Sequence, residues 1–153
     1  MDIRHNHHLI CLPQHAPKII DGTKTTTIRT PRSRPIAVGD TITFARWTAK
    51  PYRSKQNRVR VVTVTSVRTI NTRRCIGYFD DIIIDGDPIS APDAKALAIG
   101  DGFESITEIV DYLTSEKQPE FSGFIYGWEA QVLNCHPRTS LKTEPRLKTL
   151  EVR

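Results

Sequence analysis

Nowhere does the chain hold the ~18 consecutive apolar residues that a membrane-crossing helix needs, so none is expected. Residues Met1 to Leu12 carry His5, His7 and His8 where a secretory leader would place its apolar centre, and a cytoplasmic location is the expectation. Cysteine is scarce. The three present, Cys11, Cys75 and Cys135, are odd in number and far apart, which suits reduced thiols better than a disulfide framework. Neither the histidines near Cys11 nor the Cys135-His136 pair has zinc-finger spacing. A phosphate-cradling glycine loop and a nucleophile elbow are also missing, so no metal and no cofactor is expected.

Acidic residues are nearly absent from one long segment. Between Gly22 and Phe79 thirteen Lys or Arg face a single acid, Asp40, whereas Asp80 to Glu120 holds eleven acids and two lysines. Such asymmetry suits a positive surface, supplied by the first segment, that meets a polyanion. The alternative is that the two segments pack side by side and neutralise each other. With 153 residues, 38% of them hydrophobic, the chain is long enough to bury a core as one domain.

Short strands and helices follow one another along the sequence. His7 to Leu12 reads as a strand buried on both sides, and Gln14 to Asp21 as a brief helix with Pro17 in its first turn and Gly22 past its end. Lys24 to Arg29 is rich in β-branched residues and reads as a strand. Beyond the basic, proline-punctuated loop and the Gly39-Asp40 turn, Thr41 to Thr48 alternates as a strand, and a polar basic loop at Ala49 to Asn57 leads into Arg58 to Ile70. There Val59, Val61, Thr63, Thr65 and Val67 share a parity and mark a half-buried strand. Phe79 to Ile84 is a further strand, Pro92 to Ala98 a short helix, and Ser105 to Glu108 has capping-box spacing ahead of an apolar stripe of Ile106, Ile109, Val110 and Leu113. Gly123 to Leu133 closes the set. The expected organisation is α+β, with one domain at 1–133 and a basic C-terminal tail at 134–153.

If Lys24 to Arg29 is extended, Thr25, Thr27 and Arg29 leave one face and Lys24 sits at its mouth, while Thr26 turns elsewhere. Two hydroxyls, a guanidinium and an ammonium then converge, a set suited to a phosphate or a base edge. Equally, threonines in a row are good strand formers with one face in water. Asp101, before Gly102, is either the acid that complements Lys24 or simply half of an Asp-Gly turn.

The segment Gly22-Thr23-Lys24-Thr25-Thr26-Thr27-Ile28-Arg29 resembles the G-x-K-T-x-T-x-R segment of the ASCH family. Three further pieces stand in the family's order: Val38-Gly39-Asp40, Asp101-Gly102-Phe103-Glu104-Ser105, and Phe121-Ser122-Gly123-Phe124-Ile125-Tyr126-Gly127-Trp128. This resemblance spans Leu9 to Val132 and implies a small PUA-like mixed β-barrel flanked by short helices. Some ASCH-like proteins are amidohydrolases of N4-acylated cytidine, and their Lys, Thr and Glu positions match Lys24, Thr27 and Asp101. In that chemistry Lys24 deprotonates Thr27, the hydroxyl attacks the amide carbonyl, and Asp101 passes protons to the leaving amine. The acid is one methylene shorter than the family's Glu, a change that catalytic geometry feels.

The leading expectation is a binding module for RNA, single strands included, or for a modified nucleoside, with no membrane partner. Arg32 and Arg34 border the threonine strand, Tyr52, Arg53 and Lys55 stand in the basic loop, and Gly102 and Phe103 follow the candidate acid. Trp47, Tyr126 and Trp128 offer aromatic faces for stacking a base, or else belong to the core. A metal-independent ribonuclease, with Tyr52 and Lys55 doing the acid-base work, is a further alternative.

Overall fold

The computed structural model describes residues 3–74 and 81–129. Cys75, Cys135, His136, residues 79 and 80 of the expected fifth strand, 130–133 of the expected closing strand, and the tail 134–153 lie outside the described residues.

Among the described residues seven strands and three short α-helices make a mixed α+β fold. In chain order they are β1 (Asn6–Ile10), α1 (Ala16–Asp21), β2 (Thr26–Arg29), β3 (Thr41–Trp47), β4 (Gln56–Arg73), β5 (Asp81–Ile84), β6 (Asp87–Pro88), α2 (Ala91–Gly100), α3 (Ile106–Leu113) and β7 (Glu120–Trp128). The long β4 organises the sheet. Its first half pairs antiparallel with β3, which runs parallel to β1; its second half pairs with β5 on one side and β7 on the other, and β7 pairs with β2. Among the described residues β1, β2 and β6 each have a single strand partner, so the sheet is open where a closed barrel was expected. No helix among the described residues is long and apolar enough to cross a membrane.

Local chemistry accounts for the helices. Pro13 opens a 3-10 turn that runs into α1, Pro17 occupies the first turn, where a missing N–H costs no intrahelical bond, and Gly22 ends the helix at φ 89°. Ser90 caps α2 by accepting from Asp93 N, and Ser105 caps α3 by accepting from Glu108 N. The reciprocal bond of that box reaches one residue further back: Glu108 accepts from Glu104 N at 2.9 Å. Ile109 and Val110 of α3 are each 1% exposed, burial that stabilises by about 1.5–3 kcal/mol per side chain.

Two faces differ from expectation. β4 buries Val62, Val64, Ile70 and Thr72 and exposes Val61, Thr63 and Thr65, against the parity anticipated, although Val59 and Val67 of that parity are partly buried against the core. Valine occurs in both parities, and the decision falls to β3, where Ile42 lies opposite Val62 and is fully buried. β1 is buried on one side only, through His7 and Leu9, because its other face carries Asn6 and His8 at the surface.

Two apolar clusters result. One gathers Leu9, Ile19, Ile42, Phe44, Val64 and Trp128; the other gathers Ile28, Ile70, Leu97, Phe103, Ile109 and Ile125 around α2 and α3.

Candidate functional site

The chain from α1 to β2 is suspended by backbone bonds at both ends. Lys24 N donates to Lys18 O and Thr25 N donates to Gly100 O, each at 2.9 Å, which carries Lys24 under the last turn of α2. Asp101 follows that turn directly, with its N–H bonded back to Leu97 and Ala98. The ammonium therefore meets the carbonyl end of a helix, where positive charge is favoured.

Lys24 is 2% exposed and Asp101 4%. Nζ donates to Thr26 O at 2.7 Å and to Asp101 O at 2.6 Å, and lies 3.3 Å from Asp101 Oδ1. Two of those contacts are hydrogen bonds and the third is an ion pair. Thr26 Oγ1 donates to the same carboxylate oxygen at 3.3 Å. Burial pushes Asp101 up to about 6 against the opposing pull of Lys24, Thr26 and Arg29, and burial pushes Lys24 down.

Beside this pair is a cavity of about 360 Å³, placed where the two apolar clusters meet and in the gap between β1 and β2 that no backbone pairing closes. Lys24, Thr27, Arg29, Asp101 and Phe103 all line it. Arg29 crosses the gap: NH2 donates to Ile10 O at 2.8 Å, and Nε donates to Thr27 Oγ1 at 3.3 Å. Thr27 is buried, and its hydroxyl makes no hydrogen bond to Lys24 among the described residues. Trp47, Ala49, Pro51 and the half-exposed Tyr112 complete the apolar part of the wall. Cys11 also faces the cavity, but burial pushes its thiol up, away from the reactive thiolate.

Several expected site residues lie elsewhere. Thr25 precedes β2; its N–H and carbonyl are taken by Gly100 and Trp128, and its side chain lines a separate depression with Thr26 and Arg68. Tyr126 and Trp128 are core residues, 2% and 5% exposed, because β7 runs between β2 and β4 and is covered on both faces; Trp128 packs on Phe44 at 5.1 Å. Neither presents a ring for stacking. Arg32, Arg34, Arg53 and Lys55 are exposed and outside the cavity wall. Tyr52 is 89% exposed at φ 63°, its ring 5.2 Å from that of Trp47 at the cavity edge. Gly102 turns the chain at φ 95°, a conformation that favours glycine, and its carbonyl accepts from Lys18 Nζ at 2.8 Å.

Two contributors escaped sequence reasoning. Thr26 turns away from the cavity, as expected, and lines the neighbouring depression, yet its hydroxyl bonds Asp101, a contact that alternation does not reveal. His15, in the turn ahead of α1, is 6% exposed, lines the cavity and packs edge-on against Phe103; no spacing or motif marks it. Among the described residues no group of three or more His, Cys, Asp or Glu is placed to hold a metal ion. Comparison with family models, with curated proteins and with solved structures finds no match to this chain.

Proposed function

We propose that this chain is an ASCH-like protein of the PUA-like kind whose cavity takes up a single nucleobase with its sugar, free or as part of an RNA strand. One observation carries the reading: a buried Lys24–Asp101 pair, the Thr27 hydroxyl and the Arg29 guanidinium converge on one largely apolar cavity. Its volume of about 360 Å³ sits at the small end of the range for ligand pockets, roughly 300–1,000 Å³, which suits a nucleoside better than a larger ligand. Hydrogen-bonding groups set in an apolar wall are the usual means of orienting such a ligand. Arg29 is a planar donor for a carbonyl edge, and the aromatic rings of Phe103 and Trp47 offer surfaces for a base. Exposed Arg32 and Arg34, beyond the cavity, suit the backbone of a longer strand.

The test is a titration of the full chain with cytidine, N4-acetylcytidine and a short single-stranded RNA, followed through tryptophan fluorescence. Saturable nucleoside binding, weakened at least tenfold in Arg29→Met and insensitive to salt for the free nucleoside, is the expected result. RNA affinity should fall with salt and with Arg32→Ala plus Arg34→Ala. Absence of any saturable nucleoside signal would end the reading.

A hydrolytic role for the same cavity has one observation in its favour: a carboxyl held near 6 exchanges its proton close to neutrality, as an acid-base group must. Against it, the Lys24 ammonium is engaged by Thr26 O and by Asp101 and makes no hydrogen bond to Thr27 among the described residues. Release of acetate from N4-acetylcytidine, lost in Thr27→Ala, is the outcome this reading requires.

A further inference from the structure

We infer that His15 is a specificity-determining residue of this cavity, its buried and unpartnered imidazole hydrogen-bonding the uncharged polar edge of the bound base. The inference rests on the nucleoside reading of the cavity. His15 is 6% exposed, yet its ring makes no hydrogen bond among the described residues. Its nitrogens are not sealed off either: the one fully buried side-chain nitrogen or oxygen without a partner, among the described residues, is Trp128 Nε1. A buried polar ring that lines the cavity with no hydrogen-bond partner is poised for whatever enters it.

The ring is also held in place. Phe103 meets it edge-on, with centroids 4.9 Å apart at 89°, and Gly102 presses so closely that an added Cβ would come within 3.0 Å of Cδ2 and 3.1 Å of Nε2. A phenyl ring would satisfy the same packing, so what the imidazole adds is its hydrogen-bonding capacity. His15 also stands on a wall, with Leu12, Phe103 and Tyr112, shared with a second depression of about 530 Å³.

The charged groups around the ring fix its state. Burial first, then Lys24 and Lys18, with a smaller push from Arg29, lower His15 to about 4, and Glu108 opposes them weakly. At neutral pH the ring is uncharged, with one N–H donor and one lone-pair acceptor. Through one ring nitrogen such a ring donates to a carbonyl or accepts from an amino group, and it lacks the charge that an imidazolium would offer a phosphate.

Nitrogen-15 NMR of the imidazole nitrogens in the full chain tests this, with cytidine, N4-acetylcytidine and inorganic phosphate as probes. Cytidine should move the His15 nitrogen signals and phosphate should not; His15→Phe should bind cytidine about five- to tenfold more weakly, and His15→Gln should recover part of the loss. Should His15→Phe fail to fold, the wild-type signals decide alone. Cytidine binding with unmoved His15 nitrogens and undiminished affinity in His15→Phe overturns the role of His15 while leaving the nucleoside cavity standing. If neither nucleoside binds the wild type, the cavity reading falls and His15 with it.

Discussion

Asp40 and Asp101 expose the same small fraction of surface, 4% each, but Asp101 lies far deeper among other atoms, and their carboxyls shift in opposite directions. Burial pushes both upward. At Asp40 the push is overcome, because His5 N and Ala37 N each donate at 3.0 Å and His7 Nε2 lies at 2.9 Å, and the group is held down to about 2. At Asp101 the contacts from Thr26 and Lys24 are both 3.3 Å, burial prevails, and the carboxyl rises to about 6. Counting donors separates a fastening from a site. Asp40 is saturated by short bonds and ties the start of β1 to the turn before β3, whereas Asp101 sits under-bonded on the wall of a cavity and retains capacity for a further partner.

The largest effect that bears on this contrast is removal of the ammonium. Lys24→Met leaves Asp101 buried beside two abandoned carbonyls and should cost about 3–5 kcal/mol in urea denaturation at neutral pH, with Lys24→Met plus Asp101→Leu regaining a substantial part of it. A double variant no more stable than Lys24→Met would show that the pair is not the cause. Next in size, Asp40→Asn replaces a charged acceptor of three donors with a neutral one and should cost about 2 kcal/mol, while cytidine affinity stays unchanged. A loss of ligand binding in that variant would blur the division between fastening and site.

The smallest effect is in the pH dependence, and there the two acids act with opposite sign. Asp40, with its pKa lowered, contributes stability that is present above 3.8 and lost as pH falls through about 2. Asp101, with its pKa raised, contributes stability that is present below 3.8 and lost as pH rises through about 6. Thermal melts between pH 4 and 7 should therefore show wild type gaining on Asp101→Asn toward the acid end. A carboxyl resonance of Asp101 that titrates below 3.8 would reverse the sign and break the comparison.

Much of the fold was legible in the residues. The helix that ends at Gly22, the serine cap at position 105 and the β-branched run before Arg29 carry local signals whose causes lie within a few residues, and these elements form where expected. The face of β4 was not legible, since valines occupy both parities and only the pairing with Ile42 chose between them. The same limit applied to Tyr126 and Trp128: an alternating strand does not reveal that both its faces will be covered. At the site, the Lys24, Thr27, Arg29 and Asp101 side chains were singled out by type and position, and all four line the cavity. His15 was invisible because its importance lies in a missing hydrogen bond, which no sequence displays.

By itself the sequence determined where the chain turns, caps and extends, and which residue types were at hand for chemistry, because those properties depend on neighbours a few bonds away. Tertiary structure alone decided that position 101 lies against position 24, that Arg29 spans an open seam to Ile10, and that two carboxylates of equal exposure carry opposite shifts. The physical reason is common to all three. A hydrogen bond or a desolvation acts over a few ångströms of space, and the groups that supply it here are separated by up to 77 positions of chain.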